Sequence, residues 1–190
     1  QDMDAQFRAE LGAGNLRWLV AVPGATAEAA LARAERLQAK LQPLQDSGAL
    51  GRLDTPSRFL PSAAVQAARL ASIPDGPTLA ANLTQALATV PFQAQALAPF
   101  VAEAEAARAA GPFTQADLAG TSFALGLSAL MLQHGEQHMA LLALNPADAH
   151  PANPVSPISH SANDAQAVEA QVKAALAGEP GVMFIDMDTA

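Results

Sequence analysis

The chain has no cysteine, only 4% aromatic residues and only ten Lys and Arg among 190 residues. Without cysteine there is no disulfide, no thiolate nucleophile, no Cys-ligated zinc and no iron–sulfur cluster. An oxidising compartment is compatible with that lack but is not required by it. The basic residues are scattered rather than clustered, and the formal charge is −8. Counterion release has little to act on, which argues against nucleic-acid binding. An anionic lipid surface also repels the chain as a whole. No apolar run reaches about 18 residues, so no segment reads as a membrane span. No initiator Met and no signal peptide precede Gln1, and the chain reads as an excised fragment or a processed protein.

What is present is an apolar content of 51%, dominated by alanine. A compact chain of this length buries roughly 70% of its unfolded surface, so a core without staples is within reach. Alanine buries little area, so that core must gather Leu, Val, Ile, Phe and Met from many segments.

Residues 1–15 read as a polar lead-in, with a short helix over 4–11. A strand follows over 16–22, ended by a Pro23-Gly24 turn. Thr26 is a candidate N-cap. Apolar residues at 27, 30, 31, 34, 37, 41 and 44 predict a helix over 27–44, closed by Ser47-Gly48. A strand over 50–54 completes a β-α-β unit. From 55 to 118, Pro56, Pro61, Pro74, Pro77, Pro91 and Pro112 punctuate Ala-rich stretches. They predict helices at 62–73, 76–89 and 93–110 and a helical turn at 115–119. Alternating Phe123, Leu125, Leu127, Ala129 and Met131 predict a strand, and the apolar run 139–144 predicts a buried one. Between them Gly135 supplies the positive φ of a tight hairpin. Residues 145–163, with Pro146, Pro151, Pro154 and Pro157, read as a long surface loop. Ser161 and Asp164 resemble a cap pair for a helix carrying Val168, Val172 and Leu176, stopped by Gly178. A last strand spans 182–187. The fold expected is α+β: ferredoxin-like or porter-type β-α-β units forming one sheet, with an Ala-rich helical insertion over about 55–120. The whole of 1–190 is expected to be one domain, with 16–54 and 121–188 as its scaffold.

The string His134-Gly135-Glu136-Gln137-His138 gathers two imidazoles and a carboxylate. A zinc site needs three or four ligands at about 2 Å, and the Glu stands between the histidines in the wrong register for a helical zinc hydrolase. His150 and His160 fall in the Pro-rich loop. The string reads as a hairpin tip rather than a metal centre. Ser122, Ser128 and Ser156 have no base that the sequence positions. Gly12-Ala13-Gly14 lacks the strand-before, helix-after setting of a dinucleotide loop. Asp186 and Asp188 alternate on the last strand and read as a solvent-facing end rather than a cation site. Pro56-Ser57-Arg58-Phe59-Leu60-Pro61-Ser62 reads as a structural elbow, with Arg58 solvated, Phe59 and Leu60 as a core plug and Pro61 presetting the next helix. No catalytic, cofactor or metal residue is assigned, and no cofactor is expected.

Several strings together resemble a known family. They are Leu16-Arg17-Trp18-Leu19-Val20-Ala21-Val22 with the helix after it, Gly48-Ala49-Leu50, and Ser57-Arg58-Phe59-Leu60-Pro61-Ser62. Pro91-Phe92, Ala98-Pro99-Phe100, Asp117-Leu118-Ala119-Gly120-Thr121 and Pro180-Gly181-Val182 extend the likeness over about 8–188. The chain resembles a predicted-exporter branch of the MMPL family, within the resistance-nodulation-division transporter superfamily. The resemblance implies a large periplasmic loop domain, the second of two, on the periplasmic side of a bacterial inner membrane. It implies a proton-driven transporter whose membrane helices and other periplasmic domain are the partners of this one. The implied cargo is hydrophobic: a lipid, a fatty-acyl conjugate or an aryl pigment. The family's proton-relay carboxylates lie in membrane helices, and none is carried over. The domain would line or gate the cargo path without being an enzyme. A freestanding periplasmic binding or adaptor module and a metal-dependent hydrolase are the alternative readings.

Overall fold

The computed structural model describes residues 16–90, 94–147 and 162–187. The chain divides into two compact units, Gln1–Pro61 with Gly120–Ala190, and Ser62–Ala119.

The first unit is built on one antiparallel sheet. Its strands are β1 (Trp18–Gly24), β2 (Leu50–Asp54), β3 (Met131–His134), β4 (Gln137–Pro146) and β5 (Met183–Asp186). The order is β2-β4-β1-β5, with β3 also paired to β4. β3 pairs with the start of β4 and β2 with its end, so both lie along the edge of β4 that faces away from β1. β1 and β2 are each antiparallel to β4, which lies between them. In the same way β4 and β5 flank β1. Two β-α-β units are therefore interleaved, which is the ferredoxin-like, split β-α-β topology. Their crossover helices are α1 (Ala27–Asp46) and α6 (Ala162–Leu176).

Helical spacing on α1 and period-two alternation on the strands converge on a shared core. Trp18, Val20 and Val22 of β1 and Ala140, Leu142 and Leu144 of β4 share one sheet face and are 0% exposed. Ala30, Ala34, Leu37 and Leu41 of α1 and Val168, Val172 and Leu176 of α6 complete this cluster. Each fully buried Val or Leu contributes about 1.5–3 kcal/mol relative to exposure. By register, the opposite sheet face carries Leu19, Ala21, Met139, Leu141, Ala143, Met183 and Ile185.

α1 starts where the sequence places it: the Thr26 hydroxyl accepts from the Ala29 amide at 3.0 Å. Its Arg33 guanidinium donates to the Pro23 and Pro180 carbonyls, each at 2.7 Å. Lys40 donates to Glu179 at 2.5 Å. These contacts fasten the helix to the end of β1 and to the approach to β5.

Pro23-Gly24 does not end the first strand. Pro23 pairs with Met139 and Gly24 with His138. β5 stops opposite Ala21, so at Pro23 β1 has a strand on one side only, a position that tolerates a missing N–H. A Cβ on Gly24 would lie 2.3 Å from the Ala30 amide nitrogen, so glycine permits α1 to cross the strand end closely.

The strand expected over 123–131 is not there. Ser122–Leu130 is a helix, α5, and the chain turns extended only at Met131. The Thr121 hydroxyl accepts from Ala124 N at 3.3 Å as its N-cap. Phe123, Leu127 and Leu130 match helical spacing as well as the alternation matches a strand, and the Thr121 cap together with the packing of α5 on the Phe59 ring decides between them. The last strand is also shorter than the predicted 182–187.

The second unit holds α2 (Ala63–Ser72), α3 (Gly76–Ala86) and α4 (Ala98–Ala110). Ser62 caps α2 and Asp75 caps α3 through their side-chain oxygens. The expected helix over 93–110 starts as a 3-10 turn at Ala94–Leu97, and α4 follows with Pro99 in its first turn. Residues 116–118 form a 3-10 turn rather than an α-helical one. The predicted helix over 4–11, the Gly12–Gly14 string, most of the Pro-rich loop and Ser161 lie outside the described residues.

Candidate functional site

The histidine string forms the tip of the β3–β4 hairpin. His134 pairs with Gln137 and Gln133 with His138, leaving a two-residue turn at Gly135-Glu136. Gly135 has φ +61° and Glu136 is not in the positive region, the pattern of a type II′ turn. Paired residues share a face and neighbours alternate, so His134 and His138 project to opposite faces of the sheet. They do not converge on one ion. Among the described residues no group of three or more His, Cys, Asp or Glu side chains is placed to hold a metal. Asp186 stands opposite Trp18 at the end of β5, while Asp188, His150, His160 and Ser156 lie outside the described residues. Ser128 donates to the Leu125 carbonyl within its own helix at 2.9 Å, and Ser122 opens that helix.

The elbow after β2 is held by polar contacts that its sequence makes possible. The Thr55 and Ser57 hydroxyls both reach the side-chain amide oxygen Oε1 of Gln38, at 3.1 and 3.0 Å, and lie 2.8 Å from each other. Pro56 starts a 3-10 turn and is buried, as are Leu60 and Ser62. Arg58 is not merely solvated: its guanidinium donates to Asp54 at 3.0 Å, beside Arg52. The Phe59 ring lies against α5, where a Cβ on Gly126 would come within 2.4 Å of it. These residues shape the chain, and none of them presents a nucleophile with a base.

Two cavities in the helical unit are further candidates. One, about 530 Å³, is lined by Leu70 and small residues of α2 and α4, with Glu105 and Arg108 at its wall. Glu105 is engaged in structure, accepting from the Gly76 amide at 3.1 Å. Hydrogen bonds from the Thr78 hydroxyl and amide, aided by the charge of Arg108, hold the nearby Asp75 carboxyl below its ordinary value. The second, about 320 Å³, runs between α3 and α4 and is lined by Ala80, Leu83, Thr84, Gln95, Ala98 and Val101. No motif in the sequence marks this groove. Its sequence signal is an absence: from Gly76 to Ala102 there is no Asp, Glu, Lys, Arg or His. The arrangement offers apolar contact and no acid–base chemistry.

No protein-family model, no curated protein and no solved structure matches the chain. Among the described residues, no helix is long and apolar enough to cross a membrane.

Proposed function

We propose that this chain is an extracytoplasmic domain of a proton-driven exporter of the MMPL type, forming part of the path or gate for a hydrophobic cargo. The observation that carries the reading is the pair of interleaved β-α-β units in one sheet, interrupted between β2 and β3 by a helical unit whose α3–α4 groove has no charged lining residue. That architecture is what the resemblance implies for a porter-type domain. Folds of this kind host many functions, so the likeness of the short strings at the strand ends and the elbow supports the reading alongside the topology. The domain's part in transport is mechanical: Ala-rich helices slide and repack at modest cost, and shear between packed elements opens and closes paths.

Two experiments test this. Reading the gene outward from both ends of this chain should find apolar segments of about 20 residues on each side; their absence favours a freestanding periplasmic module. In the intact protein, which has no cysteine within this region, an introduced disulfide between 62–119 and the sheet unit should lower export, and reductant should restore it. Undiminished export with complete crosslinking rejects the gating role.

A further inference from the structure

β5 is an edge strand with little burial of its own. Among the described residues it pairs with β1 alone. None of Met183, Phe184, Ile185 and Asp186 is fully buried, and Met183 is 47% exposed. Its joint with β1 is also incomplete. The Phe184 and Trp18 rings stand with centroids 6.3 Å apart, and Asp186 lies opposite Trp18. Trp18 is 0% exposed, yet its indole Nε1 has no hydrogen-bond partner among the described residues. A buried donor left unpaired is costly, and here the cost falls on the docked state of the strand.

The turn that leads into β5 has the form of a hinge. Gly178 and Gly181 have φ +82° and +69°, conformations that glycine enters without steric penalty, and they bracket Glu179-Pro180. Polar contacts to α1 hold this turn. The Pro180 carbonyl accepts from Arg33 at 2.7 Å, and the same guanidinium donates to the Pro23 carbonyl at the end of β1. Lys40 donates to Glu179 at 2.5 Å, and Arg33 lies 3.9 Å from the same carboxylate. The Lys40 side chain is 47% exposed, and exposed ion pairs contribute little. Hydrogen bonds from a charged guanidinium are stronger, so Arg33 is the main catch. α1 itself is anchored in the core by Ala30, Ala34, Leu37 and Leu41.

We infer that β5 is a hinged strap: it undocks from β1 as one piece while the rest of the sheet stays closed, and the Arg33 catch sets how often. Undocking bares the hydrogen-bonding edge of β1 and lets water reach the Trp18 indole. The inference is independent of the transporter reading. Met187 N donates to the Arg17 carbonyl at 2.8 Å, so by the two-residue period of an antiparallel ladder the Met183 and Ile185 amides also point at β1. Amide-resolved hydrogen exchange on the 190-residue chain in low urea tests the strap. The Met183 and Ile185 amides should exchange roughly tenfold or more faster than that of Leu142 in β4, with little urea dependence, as local openings do. Arg33→Gln should speed them by roughly tenfold, and Lys40→Gln by less than about threefold. Leu19 and Ile185 are paired positions. A disulfide between Leu19→Cys and Ile185→Cys should slow the Met183 amide to the rate of Leu142, and reductant should restore fast exchange. Three results overturn the inference: β5 amides that share the rate and urea dependence of Leu142, β5 amides that Arg33→Gln leaves unchanged, or a disulfide that does not slow them.

Discussion

At Gly126 a missing methyl group lets the Phe59 ring approach α5. Alanine there gains roughly 1 kcal/mol of helix propensity over glycine, but overpacking typically costs about 1–3 kcal/mol. With 2.4 Å between the added Cβ and the ring, the clash should win. Gly126→Ala is expected to lower the urea midpoint, and adding Phe59→Leu should recover part of the loss; a raised midpoint would contradict the packing described. Glu179 allows a second test at this scale. A hydrogen bond from Lys40, helped by the charges of Lys40, Arg33 and Arg36, lowers its pKa from the ordinary value. A carboxylate whose folded pKa is depressed stabilises the fold above its unfolded pKa, and that contribution is lost as pH falls through the folded value. Glu179→Gln should therefore flatten the acid limb of stability below the ordinary glutamate range and leave its shape unchanged at neutral pH. An acid limb identical to the parent's counts against this account. Individual residue roles were unevenly legible in the sequence. Thr26 as a cap was readable because capping is local, whereas the Arg58–Asp54 pair and the Gly126–Phe59 approach depend on where the elbow delivers its side chains.

Among the elements, β4 carries the most connections, pairing with β1, β2 and β3. Its Leu142 is 0% exposed within the main cluster. Leu142→Ala should cost about 2–5 kcal/mol, read as a lower denaturant midpoint at constant slope; a loss under 1 kcal/mol would mean that the sheet face is less tightly packed than described. The β3–β4 hairpin carries its own expectation. Because its histidines face opposite ways, calorimetric titration with zinc should show no binding tighter than micromolar that disappears in a His134→Ala, His138→Ala variant. Such binding would revive the metal reading. Most helices and strands were legible from periodicity, with ends off by a few residues. The error at 122–130 has a physical origin: over nine residues of nearly continuous apolar character, alternation and helical spacing are both satisfied. The deciding contribution came from a threonine cap and from contact with the elbow after β2. The 3-10 start before α4 is a similar case, set by Pro99 in the helix's first turn rather than by the apolar pattern.

For the whole molecule, the two units should differ in how readily they open. The sheet unit has a cluster of fully buried side chains, while the helical unit has no buried apolar side chain among its described residues. Native-state hydrogen exchange follows local burial, so amides of β4 and α1 should exchange only with global unfolding. Amides of α2, α3 and α4 should exchange earlier. Uniform protection across both units would count against the contrast in burial. The sequence by itself determined the alternation of strand and helix, the caps, the hairpin turn at Gly135 and the lack of thiol or basic-patch chemistry, because each of these depends on residues a few positions apart. Only the tertiary structure decided the strand order β2-β4-β1-β5, the helical state of 122–130 and the opposite facing of His134 and His138. The pairing of β1 with β4 and β5 joins residues more than a hundred positions apart, and the apolar pattern of one strand fits several partners until all of them share one core.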